Sequence, residues 1–204
     1  MIELSDLQRD ALGELFNIGV GRAASSLSQI VNDEVLLSAP VVALVQPHTV
    51  SESLLGSDFR EVSMVTLDFA GPFDARTMLI FPERNALAIV SKMISVDMTP
   101  EELAEFEQEA LCEVGNIILN ACISALADLF EVEFHGGLPT HHYSDSNNLQ
   151  SFSRKDQNVV LILQINLTIS QERIDGHLLF LLSVSSLASL LECVDRFLAK
   201  QGMA

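Results

Sequence analysis

The chain has 204 residues, 49% hydrophobic and 19% charged, which supplies ample material for a core and excludes a disordered polypeptide. Its net charge of −17 sets it against nucleic acid, whose phosphates it would repel, and favours a basic partner surface or one carrying a bound cation. The opening MIELSDLQRD has no basic n-region and no apolar h-region, and three cysteines (Cys112, Cys122, Cys193) without a CxxC form neither a disulfide framework nor a zinc cluster, so a reduced, cytoplasmic setting is expected.

Ser5-x-x-Gln8, preceded by Leu4, is a capping box and predicts a helix from residue 5 onward. At about 100° per residue, Leu12, Leu15, Phe16, Gly19, Ala23 and Ile30 share one face of that helix. Asp10, Glu14, Asn17 and Gly21 lie on the opposite side. Extended segments are expected at Val35–Val45, Val62–Phe69 and Ala75–Phe81, then a shorter helix over Arg84–Ser95. Thr99-Pro100-Glu101-Glu102 gives an N-cap threonine, a proline at N1 and an acid at N3. A long helix should run from there to Phe130, with a break near Phe106. Strands are expected at Phe134–Tyr143, Val159–Ile169 and Gly176–Leu182, and a last helix at Ser185–Ala199. The apolar run Leu178–Leu191 is interrupted by serines and is shorter than the roughly 20 residues that span a bilayer. A strand followed by a helix, with no membrane insertion, is the reading.

The order helix, three strands, helix thus occurs twice, and the residues repeat with it. Shifted by 99 positions, Asp10–Pro40 lies on Glu109–Pro139 without a gap. Ala11, Leu12, Glu14, Asn17, Ile18 and Pro40 meet Ala110, Leu111, Glu113, Asn116, Ile117 and Pro139. The expected fold is α/β (α+β): one domain of two repeats, about 5–96 and 99–200, with pseudo-twofold symmetry, a shared antiparallel sheet and two long helices. Core packing accounts for the repeated leucines and alanines. It does not account for an outward-facing Glu-x-x-Asn in both halves, with a proline 23 residues after each asparagine.

The pattern Asp/Ser-x3-Glu-x2-Asn-x22-Pro, here Asp10-Glu14-Asn17-Pro40 and Glu109-Glu113-Asn116-Pro139, resembles the CheC/CheX/FliY family of chemotaxis phosphatases. Two motifs are most like the CheC-type members. CheX-like members keep one, and FliY-like members add a flagellar-switch domain for which no residues are left over. Glu109 stands where the family tends to have Asp or Ser, and Arg22 where related proteins often carry Asn.

The resemblance implies hydrolysis of the aspartyl phosphate on a CheY-type response regulator, without a covalent enzyme intermediate. Glu14 and Glu113 would dock the regulator through a lysine near its phosphorylation site. Asn17 and Asn116 would orient the attacking water, a role suited to a neutral amide with two donors and one acceptor. The i, i+3 spacing puts each pair on one stripe, about 5–6 Å apart at Cβ. Asp10, Glu109, Gly21 and Asn120 are candidate docking positions. No metal site or cofactor is expected in this chain, since Mg²⁺ would come with the regulator. The deamidase CheD is a further expected partner, and a non-catalytic adaptor binding a regulator or CheD is the alternative. His141 and His142 read as strand-surface residues, Gly19 as a helix-packing contact, and Pro40 and Pro139 as fixing the start of each half's first strand.

Overall fold

The computed structural model describes residues 3–50, 61–93, 99–152, 159–169 and 171–203. Among these, the order is α1 (Asp6–Val31), β1 (Val35–Val45), a 3-10 turn (Pro47–Thr49), β2 (Glu61–Ala70), β3 (Ala75–Pro82), α2 (Glu83–Met93), α3 (Pro100–Phe130), β4 (His135–Gly136), β5 (Thr140–Asp145), a 3-10 segment (Ser146–Phe152), β6 (Val159–Ile169), β7 (Glu172–Leu182) and α4 (Val184–Lys200).

Both long helices begin with the capping boxes expected of them. The Ser5 hydroxyl accepts the Gln8 N–H and Gln8 Oε1 accepts the Ser5 N–H; Thr99 and Glu102 do the same for α3. They also end alike. Asn32 and Glu131, 99 positions apart, take the left-handed conformation at φ 52° and 56°. Helix α3 is unbroken at Phe106, because no proline or glycine interrupts its first two turns and Phe106 itself is exposed. Ile30 is also exposed, so α1's buried face ends in Leu27 and Val31 instead.

The described strands form one seven-stranded sheet, ordered β1-β6-β7-β3-β2, with β4 and β5 both on the outer edge of β2. Every pairing is antiparallel. The order reads the same from either edge when β1 is exchanged with β4–β5, β2 with β6 and β3 with β7. The first strand of each half therefore lies against the second strand of the other half. The strand expected over Phe134–Tyr143 is split, because the Gly137 N–H turns to the Asp68 carbonyl and Pro139 has no N–H to give the ladder. Pro40 likewise lies within β1, not at its start.

Alternation along the strands divides the core in two. Val65, Leu67, Phe69, Leu161, Leu163, Leu178 and Phe180 face the helices. Met64, Met78, Ile80, Val160, Ile162 and Leu179 face the other way and pack under Val50, which follows the first 3-10 turn, and under Leu149 and Phe152 of the second 3-10 segment. Helix α1 packs on β1, on α3 and on α4, and α3 also contacts α2 and β2. The stretch Phe106–Phe130 of α3 is long and apolar enough to cross a membrane, yet half of it is buried in this fold.

Candidate functional site

Leu12, Leu15, Phe16 and Val20 of α1 are almost fully buried, which turns Asp10, Glu14, Asn17 and Gly21 outward. On α3, burial of Leu111, Val114, Ile118 and Leu119 does the same for Glu109 and Glu113, while Asn116 and Asn120 are half-buried. The two helices cross closely. A Cβ on Gly19 would lie 2.7 Å from the Cα of Cys122, so only glycine permits this approach. Arg22 is bonded to Asp128 of α3 at 2.6 Å, an exposed pair of the kind that contributes less than about 1 kcal/mol.

What holds Asn17 lies in β1. Ser38 pairs with Asn166 and Val41 with Gln164, so Ala39 and Pro40 together face the single residue Ile165 as a β-bulge. Pro40 has no N–H for the ladder. The bulge frees the N–H of buried Ala39, which donates to Asn17 Oδ1 at 3.0 Å. This is the physical content of the x22-Pro spacing: the proline marks the bulge whose neighbour anchors the amide. Since the Ala39 N–H must meet an oxygen, the Asn17 Nδ2 is the group left facing outward. Asn17, Glu14 and Asp10 then line an open groove of about 330 Å³, closed on one side by Ala39, Val41 and Val42.

The second half places an equivalent groove, of about 470 Å³, along Glu109, Cys112, Glu113 and Pro139. It is more apolar, with Met93, Phe106 and Ala110 in its wall, and Asn116 is not part of its lining. Asn116 Oδ1 instead accepts from Asn120 Nδ2 at 2.6 Å, and the same Nδ2 also reaches the Asn116 main-chain carbonyl at 2.9 Å. Asn120, read from sequence as a docking residue, is thus turned along its own helix. Its counterpart Gly21 has no atom within 4 Å of a would-be Cβ.

Burial raises the thiol of Cys112 and pushes that of Cys122 up to about 12, so neither is a ready thiolate nucleophile. His141 Nε2 is 2.8 Å from the Ser63 hydroxyl, and burial lowers its pKa. Among the described residues no three His, Cys, Asp or Glu side chains are grouped to hold a metal ion. Sequence reasoning missed the Ala39 N–H, and it singled out Asn120 for docking without the bond it makes to Asn116. The Ala-Pro step at the motif's end and an asparagine one turn after Asn116 were the available signals.

Comparison with known proteins decides what these paired motifs belong to. A CheC-like family model matches residues 7–44, the first motif through to its proline. The model of the chemotaxis phosphatase CheX matches residues 63–163, which include the second. The chain belongs to the CheC/CheX/FliY family. A CheC/CheX/FliY relative, the CheY-P phosphatase CheC of Bacillus subtilis (strain 168), is 28% identical over 67% of this chain. The flagellar motor switch phosphatase FliY of the same organism is 23% identical over 87%. The matches span 66% and 46% of those two proteins, less than two thirds of either. The fold is that of Thermotoga maritima FliY, at a TM-score of 0.78 and 16% identity over 96% of this chain and 100% of the other. Borrelia burgdorferi CheX, solved with CheY, BeF3 and Mg²⁺, shares it at 0.53 and 19% identity over 81% and 94%. So does the FliM of a Helicobacter pylori FliM–SpeE complex, at 0.69 and 13% identity over 95% and 97%.

Proposed function

We propose that this chain is a cytoplasmic phosphatase of a phosphorylated CheY-type response regulator. The observation that carries the reading is the anchored Asn17: its oxygen is held by the Ala39 N–H, and its Nδ2 is free to face the groove beside Glu14. In-line hydrolysis of an aspartyl phosphate adds water to phosphorus and releases the carboxylate and inorganic phosphate. Its barrier is lowered mainly by positioning and charge. An amide fixed on a rigid helix can hold that water, with N–H donors and the second lone pair of Oδ1 both within its reach. Glu14, exposed one turn earlier, docks the regulator through a lysine beside the phosphorylation site. Glu113 and Asn116 repeat the pair on α3. The magnesium ion is carried by the regulator's own acidic pocket, so these residues have no metal to bind. The Borrelia complex supports the choice of partner, since its members are CheX and CheY.

The alternative is an adaptor that binds a regulator, or the deamidase CheD, without hydrolysis. It is favoured by the likeness to FliM, which has been solved bound to SpeE and to FliG. The two readings separate in one assay. A substoichiometric amount of this chain should speed the release of phosphate from a phosphorylated CheY-type regulator over many turnovers. An adaptor would bind the regulator and leave its own decay rate unchanged.

A further inference from the structure

Resting on the phosphatase reading, we infer that Asn120 is a positioning residue for Asn116, fixing it as the Ala39 N–H fixes Asn17. The two halves solve one problem by different means. At the first site the bulge supplies an N–H, and the position one turn beyond the asparagine is Gly21, which has no side chain to offer. At the second site the counterpart of Ala39 is Leu138, which is 88% exposed and sits where the strand is split. There the side chain one turn on, Asn120, makes the bond instead. Each half has one anchor, and neither has both.

The Asn120 anchor is itself held. Its Nδ2 is shared between Asn116 Oδ1 at 2.6 Å and the Asn116 main-chain carbonyl at 2.9 Å, a back-bond that restricts its rotamer. With Oδ1 occupied from one side, Asn116 keeps its two N–H donors for a water or a phosphoryl oxygen. Without Asn120 the amide is free to turn over and to change χ1. A helix leaves about two χ1 wells open, and the amide has two orientations, so about four states replace one.

The test uses proteins in which one site remains. In an Asn17→Ala background, Asn120→Ala is expected to lower kcat for the phosphorylated regulator about fourfold. KM should hold, because Glu113 is untouched. In an Asn116→Ala background the same substitution should have no such effect, since the side chain it positions is gone. Asn120→Asp removes the donor at constant size and invites Asn116 to donate to it, so its loss should be at least as large. An unchanged kcat for Asn120→Ala in the Asn17→Ala background overturns the inference. So does an equal fall in both backgrounds, which would mark a merely structural role. A readout independent of turnover is the side-chain amide resonance pair of Asn116. It should move toward free-amide positions in Asn120→Ala, and an unmoved pair also contradicts the inference. Failure of the phosphatase reading shows elsewhere, as an unchanged decay rate of the phosphorylated regulator in the presence of the wild-type protein.

Discussion

Asn17 is held by a backbone N–H that has no other partner in the ladder, and this makes its removal different from that of Asn116. Asn17→Ala leaves the buried Ala39 N–H without its acceptor, whereas after Asn116→Ala the Asn120 Nδ2 keeps its bond to the main-chain carbonyl of residue 116. Losing an acceptor from a poorly hydrated donor costs about 1 kcal/mol or more. Both substitutions gain similarly in helix propensity, so their difference isolates the anchor. Asn17→Ala should therefore be less stable than Asn116→Ala by about 1 kcal/mol, while Asn17→Asp, which still accepts, should stay near wild type; denaturant melts of the three variants check this. Equal midpoints for both alanine variants would mean that the Ala39 bond contributes nothing. The outward placement of Glu14 and Asn17 was legible in the sequence, because Leu12, Leu15 and Phe16 fix the buried face. The anchor of Asn17 was not. The bulge at Ala39–Pro40 exists only through register with β6, more than a hundred residues away.

The crossing of α1 and α3 rests on one position. A Cβ at Gly19 would meet Cys122 backbone at 2.7 Å, and backbone cannot swing aside as a side chain can. Gly19→Ala should then cost about 1–3 kcal/mol and disturb the two motif-bearing helices together. Gly21 lies two residues on, exposed, with open space around it. Gly21→Ala should stabilise the protein by up to about 1 kcal/mol, from helix propensity alone. Thermal melts that ranked the two substitutions the other way would refute this packing. Helix boundaries were largely readable, since the capping boxes at Ser5 and Thr99 are local chemistry. The split between β4 and β5 was partly written in Gly136-Gly137 and Pro139, but alternation over Phe134–Tyr143 read as one strand. The expected break in α3 had no such chemistry behind it, and the helix runs through.

At the scale of the molecule, the pairing of β1 with β6 and of β5 with β2 interlocks the halves. The repeat was visible at a shift of 99, yet which strand would pair with which was not, because alternation sets a strand's faces and not its neighbour. A fragment ending near residue 98 would expose both long edges of β1 and lose the α3 surface that covers α1. It should be unfolded by circular dichroism, and the whole chain should melt in one transition. A stably folded fragment would contradict the exchange of strands. The claim on which the functional account stands is that the two asparagines, fixed by the Ala39 N–H and by Asn120, orient the attacking water. It is tested most directly by the dephosphorylation rate of a phosphorylated CheY-type regulator with wild type and with Asn17→Ala/Asn116→Ala, both confirmed folded. The account predicts acceleration by wild type, and decay at the regulator's own rate with the double variant, a loss on the order of a hundredfold. A folded double variant that matches wild type would show that these amides do not carry the chemistry.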